Sequence, residues 1–106
     1  MALKLLGQLS PSGSTISAIY TAPKGRTVSS IAIMVCNASS VNTTFRIAIV
    51  PSGSSVNSSS YIYYDLPIVA NDTFSNSVGI SISSGDSIHV QSANGNVSFT
   101  VSGDEK

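Results

Sequence analysis

Charge is scarce in this chain. Lys, Arg, Asp and Glu make up 9% of its 106 residues, against roughly 25% in an average soluble domain. The five basic residues, Lys4, Lys24, Arg26, Arg46 and Lys106, are scattered, and five acidic residues bring the net charge to zero. Nucleic-acid binding needs a basic stripe to neutralise phosphates, so no nucleic-acid partner is expected. A neutral surface also offers little repulsion between copies, which suits a protein packed against itself or a partner.

Other absences narrow the chemistry. Cys36 is the only cysteine, so an intrachain disulfide is excluded and a secreted disulfide scaffold is disfavoured. Lying in the apolar run 31–36, it is expected to be a buried, inert strand thiol. No stretch of about 18 apolar residues occurs, so no membrane-spanning helix is expected. The start, Met-Ala-Leu-Lys-Leu-Leu-Gly, reads as too short and too weakly charged for a signal peptide, and the chain as an unprocessed product of a cell's cytoplasm. His89 is the only histidine and Glu105 the only glutamate. A Ser-His-Asp set drawn from Asp86, His89 and 23 serines reflects composition alone, because no Gly-x-Ser-x-Gly elbow occurs. Asp65, Asp72 and Asp86 lack calcium-loop spacing, and one His with one Cys cannot build a structural zinc site within the chain. No enzyme activity, cofactor or metal is therefore expected. The five Asn-x-Ser/Thr sequons, at Asn37, Asn42, Asn57, Asn71 and Asn96, are read as chance in a Ser- and Asn-rich chain.

What the chain has is 42% apolar residues, rich in β-branched types, among 23 Ser, 7 Thr and 7 Asn. Eight strand segments are legible, near 3–9, 15–22, 26–37, 43–50, 61–68, 73–82, 87–93 and 97–102. Phe45, Ile47 and Ile49 alternate with Thr44, Arg46 and Ala48; Phe74, Val78, Ile80 and Ile82 share one parity, as do Ile88 and Val90, then Val97, Phe99 and Val101. This is the period of half-buried strands. The expected core is Ile31, Ile33, Val35, Phe45, Ile47, Ile49, Phe74, Ile80, Ile82, Ile88, Val90, Phe99 and Val101. Turn signals such as Pro23-Lys24-Gly25, Pro51-Ser52-Gly53 and Ser84-Gly85-Asp86 separate the segments, and Ser52–Ser60 reads as an exposed loop. Asn94-Gly95 predicts that strands 87–93 and 97–102 pair as a hairpin. The sum is an all-β, single-domain antiparallel β-sandwich over 1–106, of about eight strands, with a jelly roll and other Greek-key orders both open. Residues 1–14 are read as an N-terminal arm or edge strand, and 103–106 as a short charged tail with Glu105 solvated.

Two features suggest contacts with other molecules. In segment 28–36, Ile31, Ile33 and Val35 face one way while Ala32, Met34 and Cys36 face the other. A two-layer core covers one face, so the second is expected to meet another subunit. In Tyr61-Ile62-Tyr63-Tyr64, alternation puts Tyr61 and Tyr63 on one displayed face. Displayed tyrosines suit subunit, capsid or glycan contact. The candidate interface is thus Ala32, Met34, Cys36, Tyr61 and Tyr63, with His89 on an outer face.

The succession Leu6-Gly7-Gln8, Ile19-Tyr20-Thr21-Ala22-Pro23, Val28-Ser29-Ser30-Ile31, Val35-Cys36-Asn37 and Thr44-Phe45-Arg46-Ile47 resembles a group of short tailed-phage virion proteins. The resemblance continues through Tyr61-Ile62-Tyr63-Tyr64-Asp65-Leu66-Pro67-Ile68, Asn71-Asp72-Thr73-Phe74, Gly79-Ile80, Gly85-Asp86 and Ser98-Phe99…Gly103. Modules of this pattern occur in phages of bacteria, including cyanobacteria. The resemblance implies a structural protein of the virion and supplies no catalytic residues. The expectation is a capsid cement or decoration protein, a homo-oligomer and most simply a trimer, bound to a major capsid protein on the outer capsid surface. The alternative is a tail, neck or fibre module, with or without a host glycan contact. A small hydrolase and a cellular lectin-like module are the remaining readings.

Overall fold

The computed structural model describes residues 3–106, and among these there is no helix. Nine strands form: β1 (Leu3–Leu9), β2 (Ser17–Thr21), β3 (Thr27–Asn37), β4 (Thr43–Val50), β5 (Tyr61–Ile68), β6 (Thr73–Ser77), β7 (Ile82–Ser83), β8 (Ser87–Ser92) and β9 (Val97–Glu105). Sheet A has the order β1-β9-β3-β6, with β7 also on β3; sheet B has the order β2-β8-β4-β5. All pairs are antiparallel.

The topology is that of a jelly roll. β4 pairs β5, β3 pairs β6, β2 pairs β8 and β1 pairs β9, the nesting of a single long hairpin. Rolling that hairpin sends successive pairs to alternate sheets and creates two new ladders, β3 with β9 and β4 with β8. β6 and β7 share one position along the free edge of β3, so the eight expected segments are eight positions. Segment 73–82 is broken at 78–81 because β3 is itself bulged there: four residues of the edge must pass Ser29, Ser30 and Ile31, and Ser30 has φ +54°.

Asn94-Gly95 does not make a hairpin. β8 pairs β2 and β4 in one sheet, and β9 pairs β1 and β3 in the other, so the turn is an arch between sheets. Positive φ falls on Asn96, and the Asn96 carbonyl accepts a bond from the Ala38 amide across the end of the sandwich.

Between the sheets lie Val28, Ile31, Ile33, Val35, Phe45, Ile47, Ile68, Ile82, Ile88, Val90, Val97, Phe99 and Val101. Ten of the thirteen expected core residues are buried; Ile49, Phe74 and Ile80 are half-buried against that core. Phe45 of sheet B meets Phe99 and Phe74 of sheet A with ring centroids 6.1 and 5.4 Å apart, and Tyr63 packs edge-on to Phe74 at 5.4 Å. Tilted and edge-to-face rings match the aromatic quadrupole. This cluster closes the β5/β6 side of the sandwich, where the Asn76 amide donates to the Tyr63 hydroxyl. Buried Asn37 fastens the adjoining end: its side-chain amide donates to the Val41, Ile68 and Val69 carbonyls, and its carbonyl accepts from Ser39.

The opposite side is closed by polar groups and by close backbone approach. A Cβ on Gly7 would stand 2.4 Å from the Ile19 carbonyl oxygen, so only glycine lets β1 lie this close to β2. Glu105 is not a solvated tail residue: one carboxylate oxygen lies 2.6 Å from Lys4 Nζ and the other accepts a 2.5 Å bond from the Tyr20 hydroxyl. Residues 103–105 end β9, with Asp104 buried, and Lys106 exchanges two backbone hydrogen bonds with Thr27. The expected N-terminal arm holds the edge strand β1; Met1 and Ala2 lie outside the described residues.

Three expectations follow. Phe45→Ala or Phe99→Ala should each cost about 3–5 kcal/mol, the range for a buried aromatic, in chemical denaturation. A chain ending at Ser102 should unfold at lower denaturant, whereas removal of a free tail would leave the midpoint unchanged. Burial first, and the bond to Glu105 second, raise the Tyr20 hydroxyl from 10.0 to about 12. The folded state therefore holds this proton more tightly than the unfolded chain. That contribution is complete below pH 10 and is lost as pH rises towards about 12. Tyr20→Phe should remove this component from a stability profile measured across that window.

Candidate functional site

The sandwich presents two broad outer faces, and the five candidate interface residues divide between them and the interior. Ala32, Met34 and Cys36 lie on the outer face of sheet A, because Ile33 and Val35 point inward at 0% exposure. Met34 is 50% exposed, and Ala32 and Cys36 are half-buried. The fully buried thiol expected at Cys36 is thus only half covered. Register places Ser102, Thr100 and Ser98 beside this column on β9, and Ser77, Ser75 and Thr73 on β6. The result is an uncharged grid in which an apolar column runs between two columns of hydroxyls. An open groove follows the β3/β6 boundary from Ala32 and Met34 to Ser75 and Ser77.

Tyr61 and Tyr63 do not share a face. β5 carries two register shifts against β4. Phe45 is opposite Leu66 but Ile47 is opposite Tyr63, so Tyr64 and Asp65 together face Arg46; then Ala48 is opposite Tyr61, skipping Ile62. Asp65 has φ +53°, a left-handed conformation found in one class of bulge and one that Asp tolerates better than most side chains. Strict alternation is thereby reset twice. Ile62 and Tyr63 turn to the core, while Tyr61 and Tyr64 come together outside, perpendicular at 5.0 Å.

Arg46 organises this second face. Its Nε and Nη2 donate to the two Asp65 carboxylate oxygens at 2.6 and 3.1 Å, a bidentate pair. Its guanidinium carbon lies 4.0 Å from the Tyr64 ring centroid and 6.0 Å from that of Tyr61, a cation–π arrangement. The guanidinium holds the Asp65 carboxyl below the usual carboxylate range, and the carboxylate raises Arg46 in turn. On one side of the pair, Tyr61 and Tyr64 with Asn57 and Ser58 line an open hollow of about 480 Å³. On the other, Thr44, Gln91, Ser92 and Ser14 line a smaller cleft of about 110 Å³ with Arg46 and Asp65. Tyr64, 60% exposed, is absent from the candidate interface, because strict alternation places it on the face opposite Tyr61 and Tyr63. No residue in 61–66 signals the bulge by type, as a glycine would.

His89 also lies on this outer face, in a row Ala18–His89–Ala48–Tyr61 across the four strands. Burial lowers its pKa, and its Nδ1 is 3.4 Å from the Ser87 hydroxyl. The Asp86 carboxylate accepts from the Ser52 and Ser83 amides, at 2.8 and 3.0 Å, and so serves the turn. Among the described residues no three His, Cys, Asp or Glu side chains come together. No protein-family model and no curated protein matches the chain.

If the bulge at Asp65 requires a residue that accepts positive φ, Asp65→Gly should melt at a higher temperature than Asp65→Val, although both lose the carboxylate. Equal melting temperatures would show that the conformation at 65 is unimportant.

Proposed function

We propose that this chain is a non-enzymatic structural protein of a virion, a cement or decoration protein that seats the outer face of sheet A on a capsid shell. The observation that carries the reading is the uncharged grid around Met34. A contiguous uncharged patch of small hydroxyl side chains with an exposed apolar column is easily desolvated and can pack against another surface. The compact jelly roll, 41 × 29 × 20 Å across its principal axes, suits a module repeated over a surface. Binding only to the assembled shell, such a protein stabilises the shell by linkage. Symmetric shell sites favour a closed oligomer, and a trimer is the simplest form.

The second reading, a tail, neck or fibre part, draws on the Tyr61–Tyr64 corner, which suits contact beyond the particle. Copy number in purified particles separates the two: hundreds of copies accompany a shell protein, a few dozen a tail part. For the docking face, Met34→Glu should give a folded protein that no longer binds emptied capsids, because the charge would be buried unpaired only against the shell. Light scattering should find the unmutated protein oligomeric through its other surfaces. Emptied capsids should bind the unmutated protein and slow the labelling of Cys36 by a small thiol reagent. A monomeric unmutated protein at high concentration would contradict the oligomer. Failure to bind capsids, or unchanged labelling on binding, would remove the cement reading.

A further inference from the structure

The outer face of sheet B holds an arrangement that packing does not require. An exposed aromatic usually gains stability by being covered, and a non-glycine residue at positive φ persists only where its surroundings hold it there. Here β5 uses two bulges, one with Asp65 at φ +53°, to bring Tyr64 out to 60% exposure beside Tyr61. The ring is then held in place, stacked on Arg46 at 4.0 Å and perpendicular to Tyr61 at 5.0 Å. A rigid aromatic corner in contact with water is pre-organised for a ligand, since little side-chain freedom is left to lose on binding.

The polar groups around the corner specify the ligand. Among the described residues Arg46 is the cation at the site, and Asp65 already neutralises it through two hydrogen bonds. No positive charge is left over for a phosphate, sulfate or carboxylate. Asn57 and Ser58 line the hollow with the tyrosines. The Asn57 side-chain carbonyl accepts from the Ser59 amide and hydroxyl, and its amide donates one proton to the Ser55 carbonyl. A second amide proton is left for a ligand, and the Ser58 hydroxyl can donate or accept. The hollow is shallow and open to solvent, so a ligand would lie across the rings rather than be enclosed. A molecule with one apolar C–H face, many hydroxyls and no charge matches these features. The C–H groups of a pyranose ring carry slight positive charge and meet the negative face of a tyrosine. Its hydroxyls pair with amide, hydroxyl and carboxylate groups at the rim.

We propose that the Tyr61–Tyr64 corner of sheet B is a binding site for neutral carbohydrate: a pyranose ring lies against Tyr64, and Asn57, Ser58 and the Arg46–Asp65 pair bind its hydroxyls. The site stands on sheet B alone and is independent of what covers the outer face of sheet A.

The test is a ¹⁵N–¹H titration of the whole chain with neutral oligosaccharides ending in glucose, galactose, mannose or N-acetylhexosamine. Sialyllactose and a heparin tetrasaccharide are the anionic probes. At least one neutral series should shift the amides of Asn57, Ser58, Tyr61 and Tyr64, with an affinity that does not change with salt. Tyr64→Ala should weaken that binding by about tenfold or more, the loss of an aromatic anchor. Tyr64→Phe should retain it, because the ring face is kept, and the thermal unfolding of both variants establishes that they are folded. The proposal is overturned if no neutral series shifts these amides, if the anionic probes bind more tightly, or if folded Tyr64→Ala binds as well as the unmutated chain. Capsid binding through sheet A would be unaffected by any of these results.

Discussion

The insertion of β9 between β1 and β3 is the constraint on which the rest of this structure depends. Until the last strand is in place, sheet A consists of β3 and its edge partners, with β1 unpaired. With it, Phe99 and Val101 complete the core under Phe45, and Glu105 joins Lys4 and Tyr20 across the far side. The residues that close the fold are therefore among the last in the chain, and nearly every ladder links distant segments. Such non-local pairing pays its loop entropy before contacts reward it, so slow folding is the natural corollary.

The same closure decides which residues face out. β3, with neighbours on both sides and the core beneath, offers its outer row of Ala32, Met34 and Cys36 in regular alternation. β5, an edge strand with a single neighbour, is free to bulge, and there the regular alternation is broken twice. A regular face and a contoured face thus arise from the positions of two strands within their sheets. They lie on opposite sides of the sandwich, so a module seated by one presents the other.

The alternation of apolar residues was enough to read the sheet-like architecture and most of the core, because Ile33, Val35, Phe99 and Val101 lie in stretches without bulges. It failed where a residue at positive φ resets the phase. Val28 is buried across the bulge at Ser30, and Tyr64 is exposed across the bulge at Asp65. Neither position carries a glycine, so neither left a mark in the sequence. Asn94-Gly95 correctly marked a tight change of direction, but turn residues describe local geometry and do not say whether the strands they join enter the same sheet. The end of the chain misled for a third reason: charged residues suggest solvent, and Glu105 is held inside an ionic and hydrogen-bonded group made by strands about a hundred and about eighty-five residues earlier. Of the site, Ala32, Met34 and Cys36 were legible as a second apolar face, whereas the Arg46–Asp65–Tyr64 grouping depends on a cross-strand register that only the fold reveals.

The account rests on the two faces having different roles, and orientation on the particle tests it most directly. If the chain is the cement protein proposed above, a cryo-EM map of its particle should place the Met34 face of sheet A against the shell, with Tyr64 and Arg46 directed outward into solvent. A map with Met34 in solvent and the Tyr61–Tyr64 corner buried against the capsid would contradict it.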